Sequence, residues 1–289
     1  MLTVSELLDE DGARLCQGVA DLVGPDVPLY DINGDGSSIL FVGPHFGFAD
    51  LDLEGKRLQS RVREEHRRFA ALSRSLLRGQ ADDVLRRLSS NDDTIRSVID
   101  RVMVWESTTG KAMETVREAM RETLEMVSCL DDPSEGAVIL VPDTNALIHS
   151  PAIQSWAFDS IPAFEMLLVP TVLSEMDELK TNHRQPAVRD KVKSIIRQIK
   201  EFSRRGSIGE GVSVVDGRIR IRAFAVEPDV QDALPWLDPG VLDDRILAST
   251  VEAMRAHTRS TVCLVTGDLN LQNKAAFAGV AYIEPPEDT

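Results

Sequence analysis

The sequence predicts a two-part chain: a mainly helical N-terminal part with a short β-hairpin, then an α/β unit with a parallel sheet covered by helices on both faces. Three observations predict it. After Ala137, near-continuous apolar runs such as AVILVP, EMLLVP and TVCLVT alternate with stretches of helical periodicity, the pattern of strands buried on both faces. Between Leu58 and Val127, apolar residues instead recur every three or four positions. The polar, Pro/Gly-containing DDPSEG, residues 131–136, separates the two regimes. The expected organisation is a helical domain at 1–130, a linker at 131–136 and an α/β domain at 137–289. A chain of 289 residues with 43% apolar content is long enough to bury a core in each.

Taken in order, VPLYDI and ILFVG within residues 27–42 predict two short strands around the turn-rich NGDGSS. Asp31, Asn33, Asp35 and Gly36 imitate the start of a calcium-binding loop, but Val42 stands where a bidentate Glu is required, so a plain hairpin is expected. Leu58, Val62, Phe69, Leu72 and Leu76, then Ile95, Val98 and Val102, then Met113, Val116, Met120 and Val127 predict about three amphipathic helices. Asn91, Asp92 and Asp93 offer a cap before the middle one, and Ser107 to Gly110 break the chain before the last. The apolar stripes are expected to pack within this part or on a second copy of the chain, which makes a homodimer one expectation. After the linker come the strand AVILVPD, the strand EMLLVP, the helix TVLSEMDELK, a long helix over 187–204, a Gly-punctuated hairpin, the helix LDDRILASTVEAMRAH and the strand TVCLVTGD.

Composition narrows the chemistry. The opening MLTVSELLDEDGARL carries acids where a leader peptide needs basic residues, and no run approaches membrane-spanning length, so a soluble cytoplasmic protein is expected. Cys16, Cys129 and Cys263 form no CxxC spacing and the five histidines form no HExxH, which leaves carboxylates as the plentiful metal ligands and favours hard cations such as Mg²⁺ or Mn²⁺. A net charge of −15 argues against a nucleic-acid partner on average. Yet segments 56–78 and 181–205 each hold eight Lys/Arg against two acids, so local basic surface is available.

In open α/β sheets ligands bind outside the carboxyl ends of the strands. Asp143 in VILVPDTN and Asp268 in CLVTGDLN stand there, although one such Asp is most simply a helix cap. In TVLSEMDELK the apolar face is set by Val172, Leu173, Met176 and Leu179; Glu175 and Asp177 flank it at roughly 90° and 110°, and this spacing does not choose between them. In LDDRILAST either Asp243 or Asp244 is a candidate, since a cap explains only one of them. Clustered like charges persist only if a cation neutralises them or their pKa values rise, and a divalent metal is the simpler explanation.

With the strand-end DTN at Asp143 to Asn145, the acid in VPTVLSEMDELK, the pair in LDDRILAST and TGDLNLQNKA around Asp268, residues 137–286 resemble the PIN-domain nuclease family. The similarity is nearest to the PIN modules seen with PhoH-like ATPases, which also carry a basic helix after the second acid and a GS-x-x-EGV stretch like GSIGEGV here. The resemblance implies a Rossmann-like sheet and divalent-metal-dependent endonuclease activity on single-stranded RNA. By motif register it assigns the catalytic, metal-binding quartet to Asp143, Glu175, Asp244 and Asp268, and it gives Asn145, Thr266 and Asp243 supporting roles around the ligands. No GxxxxGK[ST] occurs, so no ATP site is expected. Lys180, Arg184, Arg189, Lys193 and Arg197, just after the Glu175 helix, are candidates for contact with the RNA backbone.

Three other readings compete with this one. A haloacid-dehalogenase-type phosphohydrolase needs DxD after the first strand, and Asn145 occupies the third position. A catalytically silent RNA-binding or scaffold protein would use the fold without cutting. A VapC-type toxin is usually little more than a PIN domain, whereas half of this chain is another module.

Overall fold

Apolar runs too short for helices become the strands of one sheet, and the amphipathic stretches between them cover it. In a computed structural model, residues 2–31, 43–130, 132, 135–225 and 227–287 are described. The chain divides into two compact units, Ser5–Leu130 and Asp131–Thr289, the latter joined by Met1–Val4. Val4 N–H donates to the Ser260 carbonyl at 3.0 Å, so the opening residues belong with the second unit rather than with the helical one.

The helical unit contains α1 (Val4–Val23) from Ser5 onward, α2 (Leu53–Leu76), α3 (Asp82–Ile99) and α4 (Thr109–Ser128), with β1 (Tyr30–Asp31) paired antiparallel to β2 (Phe46–Gly47). α1 was not among the expected elements, though Leu8, Leu15 and Val19 have helical spacing and are buried. The second strand of the hairpin is Phe46–Gly47; the expected turn NGDGSS and all of the expected strand ILFVG except Gly43 lie outside the described residues. The Asn91–Asp93 triplet is no cap. It lies inside α3, because Asn91 reaches Thr123 on α4 (3.4 Å) and Asp92 lies 3.0 Å from His66 on α2. The break at Ser107 to Gly110 does start a helix: Thr108 caps α4, accepting from Lys111 N–H at 3.2 Å.

In the second unit β3 (Val138–Pro142), β4 (Phe164–Leu168), β5 (Val212–Val215), β6 (Ile219–Ala223), β7 (Thr261–Val265) and β8 (Ala281–Ile283) form one sheet in the order β5-β6-β4-β3-β7-β8. Every pairing is parallel except β5 with β6, the Gly-punctuated hairpin. Gly211 precedes it at φ +92, and a Cβ there would stand 2.3 Å from Arg220 Nε, so both the left-handed backbone and the close approach require glycine. The connecting helices are α5 (Thr144–His149), α6 (Pro170–Asn182), α7 (Pro186–Ser203), α8 (Val230–Ala233), α9 (Leu242–Ala256) and α10 (Leu269–Ala278). All five residues of β7 are buried, as are Ile139, Leu140 and Val141 of β3 and Met166, Leu167 and Leu168 of β4. Ile246, Leu247, Val251 and Met254 give α9 its buried face. From β3 the chain builds outward through β4 and β6, then returns to place β7 on the other side of β3. That reversal opens a crevice at the carboxyl ends of β3 and β7.

Among the described residues no helix is long and apolar enough to cross a membrane.

Candidate active site

β3 and β7 stay in register up to Pro142 opposite Val265, and the residues that follow turn into the crevice. Asp143 N–H still donates to the Val265 carbonyl at 3.0 Å, which fixes where its side chain starts. One carboxylate oxygen of Asp143 caps α5, accepting from Ala146 N–H at 2.6 Å, while the other accepts from the Thr266 hydroxyl. The Thr266 oxygen in turn accepts from Asp268 N–H at 3.0 Å, and Asp268 caps α10 through Asn270 and Leu271 N–H. Both strand-end acids are therefore helix caps. Capping does not exhaust them, because each carboxylate oxygen has a second lone pair.

Asp143 is only 3% exposed. Burial pushes its carboxyl above the usual carboxylate range against the pull of Thr266 and Ala146, and the negative charges of Asp243 and Asp268 push it further. Asp243 is raised too, by burial first and then by Asp268, with Lys274 acting the other way and Asp244 adding to the repulsion. Asp143, Asp243 and Asp268 thus form a mutually repelling set.

Asp244, although it too repels Asp243, is itself paired. Lys274 Nζ donates to one of its oxygens at 2.5 Å and Asp238 N–H donates to the other at 2.9 Å. Successive residues on a helix differ by about 100° in direction, so the two first-turn acids of α9 face different surroundings. The register assignment put Asp244 among the ligands and Asp243 around them; here Asp244 is paired with an ammonium group, whereas Asp243 adds its charge against Asp143.

On α6, Glu175 accepts from the hydroxyl of Thr144, the residue after Asp143, at 2.5 Å. Asp177 is exposed and ion-paired with Lys180 one turn on. α6 is itself tied to α9, for Thr171 in its first turn and Arg245 of α9 both donate to Glu227. The partial burial of Glu227 opposes ionisation, yet Arg245 and Thr171 hold its carboxyl below the usual range.

Asn145 is exposed and has no side-chain hydrogen bond among the described residues, whereas the hydroxyls that bind the acids are those of Thr144 and Thr266, 2% and 0% exposed. Thr144, Glu227 and Lys274 are absent from the sequence-based set. Thr144 adjoins the DTN motif and Lys274 lies in TGDLNLQNKA, so motif proximity is the signal that points to them, whereas nothing in the sequence singles out Glu227.

Among the described residues, no three His, Cys, Asp or Glu side chains are gathered closely enough to hold a metal ion. The donor chemistry of the acids fits a hard divalent cation nonetheless: all are oxygen ligands, and the buried Asp143 faces two like charges that a cation would neutralise.

The basic residues lie on α6, α7 and their connection. A groove of about 310 Å³ is lined by the cationic Lys180, Lys193, Arg197, Lys200 and Arg204, with Ile196 and the single acid Glu201. Lys180 is paired with Asp177, and Lys193 lies 3.8 Å from Asp190. Arg189 is turned onto the chain, donating to the His183 carbonyl at 2.6 Å. Arg184 and Arg197 are exposed, and no ion pair holds either among the described residues.

The PIN-domain family model matches residues 140–284, half of the chain, spanning the sheet from β3 to the end of β8. The chain belongs to the PIN-domain family, whose fold is in general that of metal-dependent nucleases. A comparison with the curated proteins gives no match.

Proposed function

We propose that the second unit is a divalent-metal-dependent endoribonuclease that hydrolyses phosphodiester bonds of single-stranded RNA, nearest in kind to the PIN modules found with PhoH-like ATPases. The observation that carries this reading is the desolvated Asp143, set at the sheet's reversal against the charges of Asp243 and Asp268. In a stability-driven site these acids would be paired with cations, as Asp244 is with Lys274. Repulsion retained at the ligand-binding end of a sheet marks a site with a positively charged guest.

Asp143, Glu175, Asp243 and Asp268 are the residues that would hold Mg²⁺ or Mn²⁺. When bound, the ion supplies an activated water at neutral pH and neutralises charge on the phosphoryl group and leaving oxygen. The chain's own residues do the positioning. Thr266 orients Asp143 and the Asp268 backbone together, and Thr144 orients Glu175. The Glu227 clamp fixes α6 against α9, and Lys274 pairs with Asp244 while partly offsetting the charge around Asp243. The α6–α7 groove offers Lys180, Lys193, Arg197, Lys200 and Arg204 to the RNA backbone, Arg184 stands exposed at the α6–α7 connection, and Arg189 has a structural role.

End-labelled single-stranded RNA incubated with the protein in Mg²⁺, Mn²⁺ or EDTA tests this. Internal cuts that require the divalent ion are expected. Cutting that persists in EDTA would contradict the metal chemistry. Binding without cutting in either metal would favour the catalytically silent RNA-binding reading.

A further inference from the structure

The large apolar side chains left exposed on the second unit are not scattered. Among the described residues seven are exposed: Leu2, Trp236, Val241, Leu242, Leu269, Phe277 and Tyr282. Five of them fall on two short segments, 236–242 and 269–277, and these same segments lead into Asp243 and out of Asp268. Single exposed apolar residues need no explanation, but concentration beside one charged site does.

Two of the five are in ring contact. Trp236, in the connection between α8 and α9, meets Phe277 of α10 edge-to-face, with ring centroids 5.2 Å apart and planes at 78°. Trp236 is 40% exposed and Phe277 41%, so the pair is fixed without being covered. The pair is also linked to the acids. Two residues after Trp236, Asp238 N–H binds Asp244, and one helical turn before Phe277, Lys274 binds the other oxygen of the same Asp244. Along α10, the nine residues from Asp268 to Phe277 span about 13 Å at the helical rise, a short walk from the acids for an extended strand.

The chemistry of this surface selects the part of a nucleic acid that it can receive. Asp238, Asp243, Asp244 and Asp268 repel phosphate, and the ammonium of Lys274 is already engaged, so a bare phosphate backbone gains nothing here. A nucleobase carries no charge and presents a π-face to an aromatic ring. The backbone-binding cations lie elsewhere, on α6 and α7.

We propose that Trp236 and Phe277 form a stacking platform for an unpaired nucleobase of the strand being cut. The inference rests on the nuclease reading for the nature of its ligand. It adds that bases as well as phosphates are held, and that a duplex, whose bases are already stacked, is excluded from this subsite.

The test uses the full-length chain in EDTA, with Trp105→Phe to remove the other exposed indole; Trp156 is buried at 1% exposure. A short oligoadenylate is expected to quench the emission of Trp236, while a base-free phosphodiester oligomer of equal length does not. Trp236→Ala is expected to weaken binding of labelled oligoadenylate about tenfold or more, with Trp236→Phe restoring most of it. Trp236 is exposed enough for both variants to fold, which far-ultraviolet circular dichroism checks. If labelled RNA binds and is cut in Mg²⁺ or Mn²⁺ while Trp236 stays silent and Trp236→Ala binds normally, the platform is wrong and the nuclease reading stands. If the oligoadenylate does not bind at all, the platform falls whatever the cleavage assay shows, and the apolar surface is left to a protein partner.

Discussion

Asp243 and Asp244 are chemically identical neighbours with opposite consequences when changed. Asp244 is 4% exposed and balanced by Lys274, so Asp244→Asn or Lys274→Met removes one half of a mostly buried pair. Breaking a fully buried pair costs about 3–5 kcal/mol. Lys274 is partly exposed, so a loss below that range is expected in urea unfolding. Asp243→Asn instead relieves repulsion with Asp268 and Asp143, and the protein should unfold at the same or a higher urea concentration while losing cleavage. Loss of stability in both, with cleavage retained only in Asp243→Asn, would restore Asp244 as the ligand. Helical phase shows that two adjacent residues face differently but not which direction holds a lysine thirty positions on. The sequence therefore made the pair legible and the choice within it illegible.

At the scale of elements, the strands and the helices after them were readable because buried strands are apolar throughout and helices alternate, so β3, β4, β7, α6 and α9 stand where expected. Side chains that bind across elements were not readable. The Asn91–Asp93 triplet has the composition of a cap, yet Thr123 and His66 hold its first two members within α3. Glu227 is equally silent in sequence, although it joins Thr171 of α6 to Arg245 of α9. Glu227→Ala should raise amide exchange in the first turns of α6 and α9 and slow cleavage without removing any acid of the site. Unchanged exchange at 170–176 would show that α6 does not depend on this clamp. In the helical unit, His66 and then the nearby Arg74 and Arg96 hold the Asp92 carboxyl below its ordinary range in spite of its burial. A carboxyl depressed in the folded state contributes stability that is present above its unfolded pKa and lost as pH falls through the folded one. Asp92→Asn should therefore cost stability at neutral pH and flatten the acid limb of the unfolding curve, as measured by thermal melts between neutral pH and about pH 3.

For the whole molecule, a net charge of −15 coexists with one groove in which five of seven lining residues are cationic. Nucleic-acid binding through so few cations should be weak, with a modest salt dependence in which log affinity falls by about 0.7 per phosphate contact per unit of log salt. Arg197→Glu with Arg204→Glu should lower affinity for single-stranded RNA and flatten that slope, as read by fluorescence anisotropy across a salt series. An unchanged slope would move the backbone path off α7. Composition alone suggested no such partner; the basic segment 181–205 did, because charge summed over the chain conceals charge gathered on one helix.

The central claim is that Asp143 takes part in metal-dependent cutting, and single-turnover cleavage of end-labelled single-stranded RNA by wild-type and Asp143→Asn protein in Mn²⁺ tests it most directly. The substitution keeps the shape of the side chain and can keep the cap to Ala146. The rate should fall by more than the roughly 10–100-fold that loss of a supporting residue costs. Equal cleavage by the two proteins would contradict the account, since a ligand at the centre of the site cannot be dispensable.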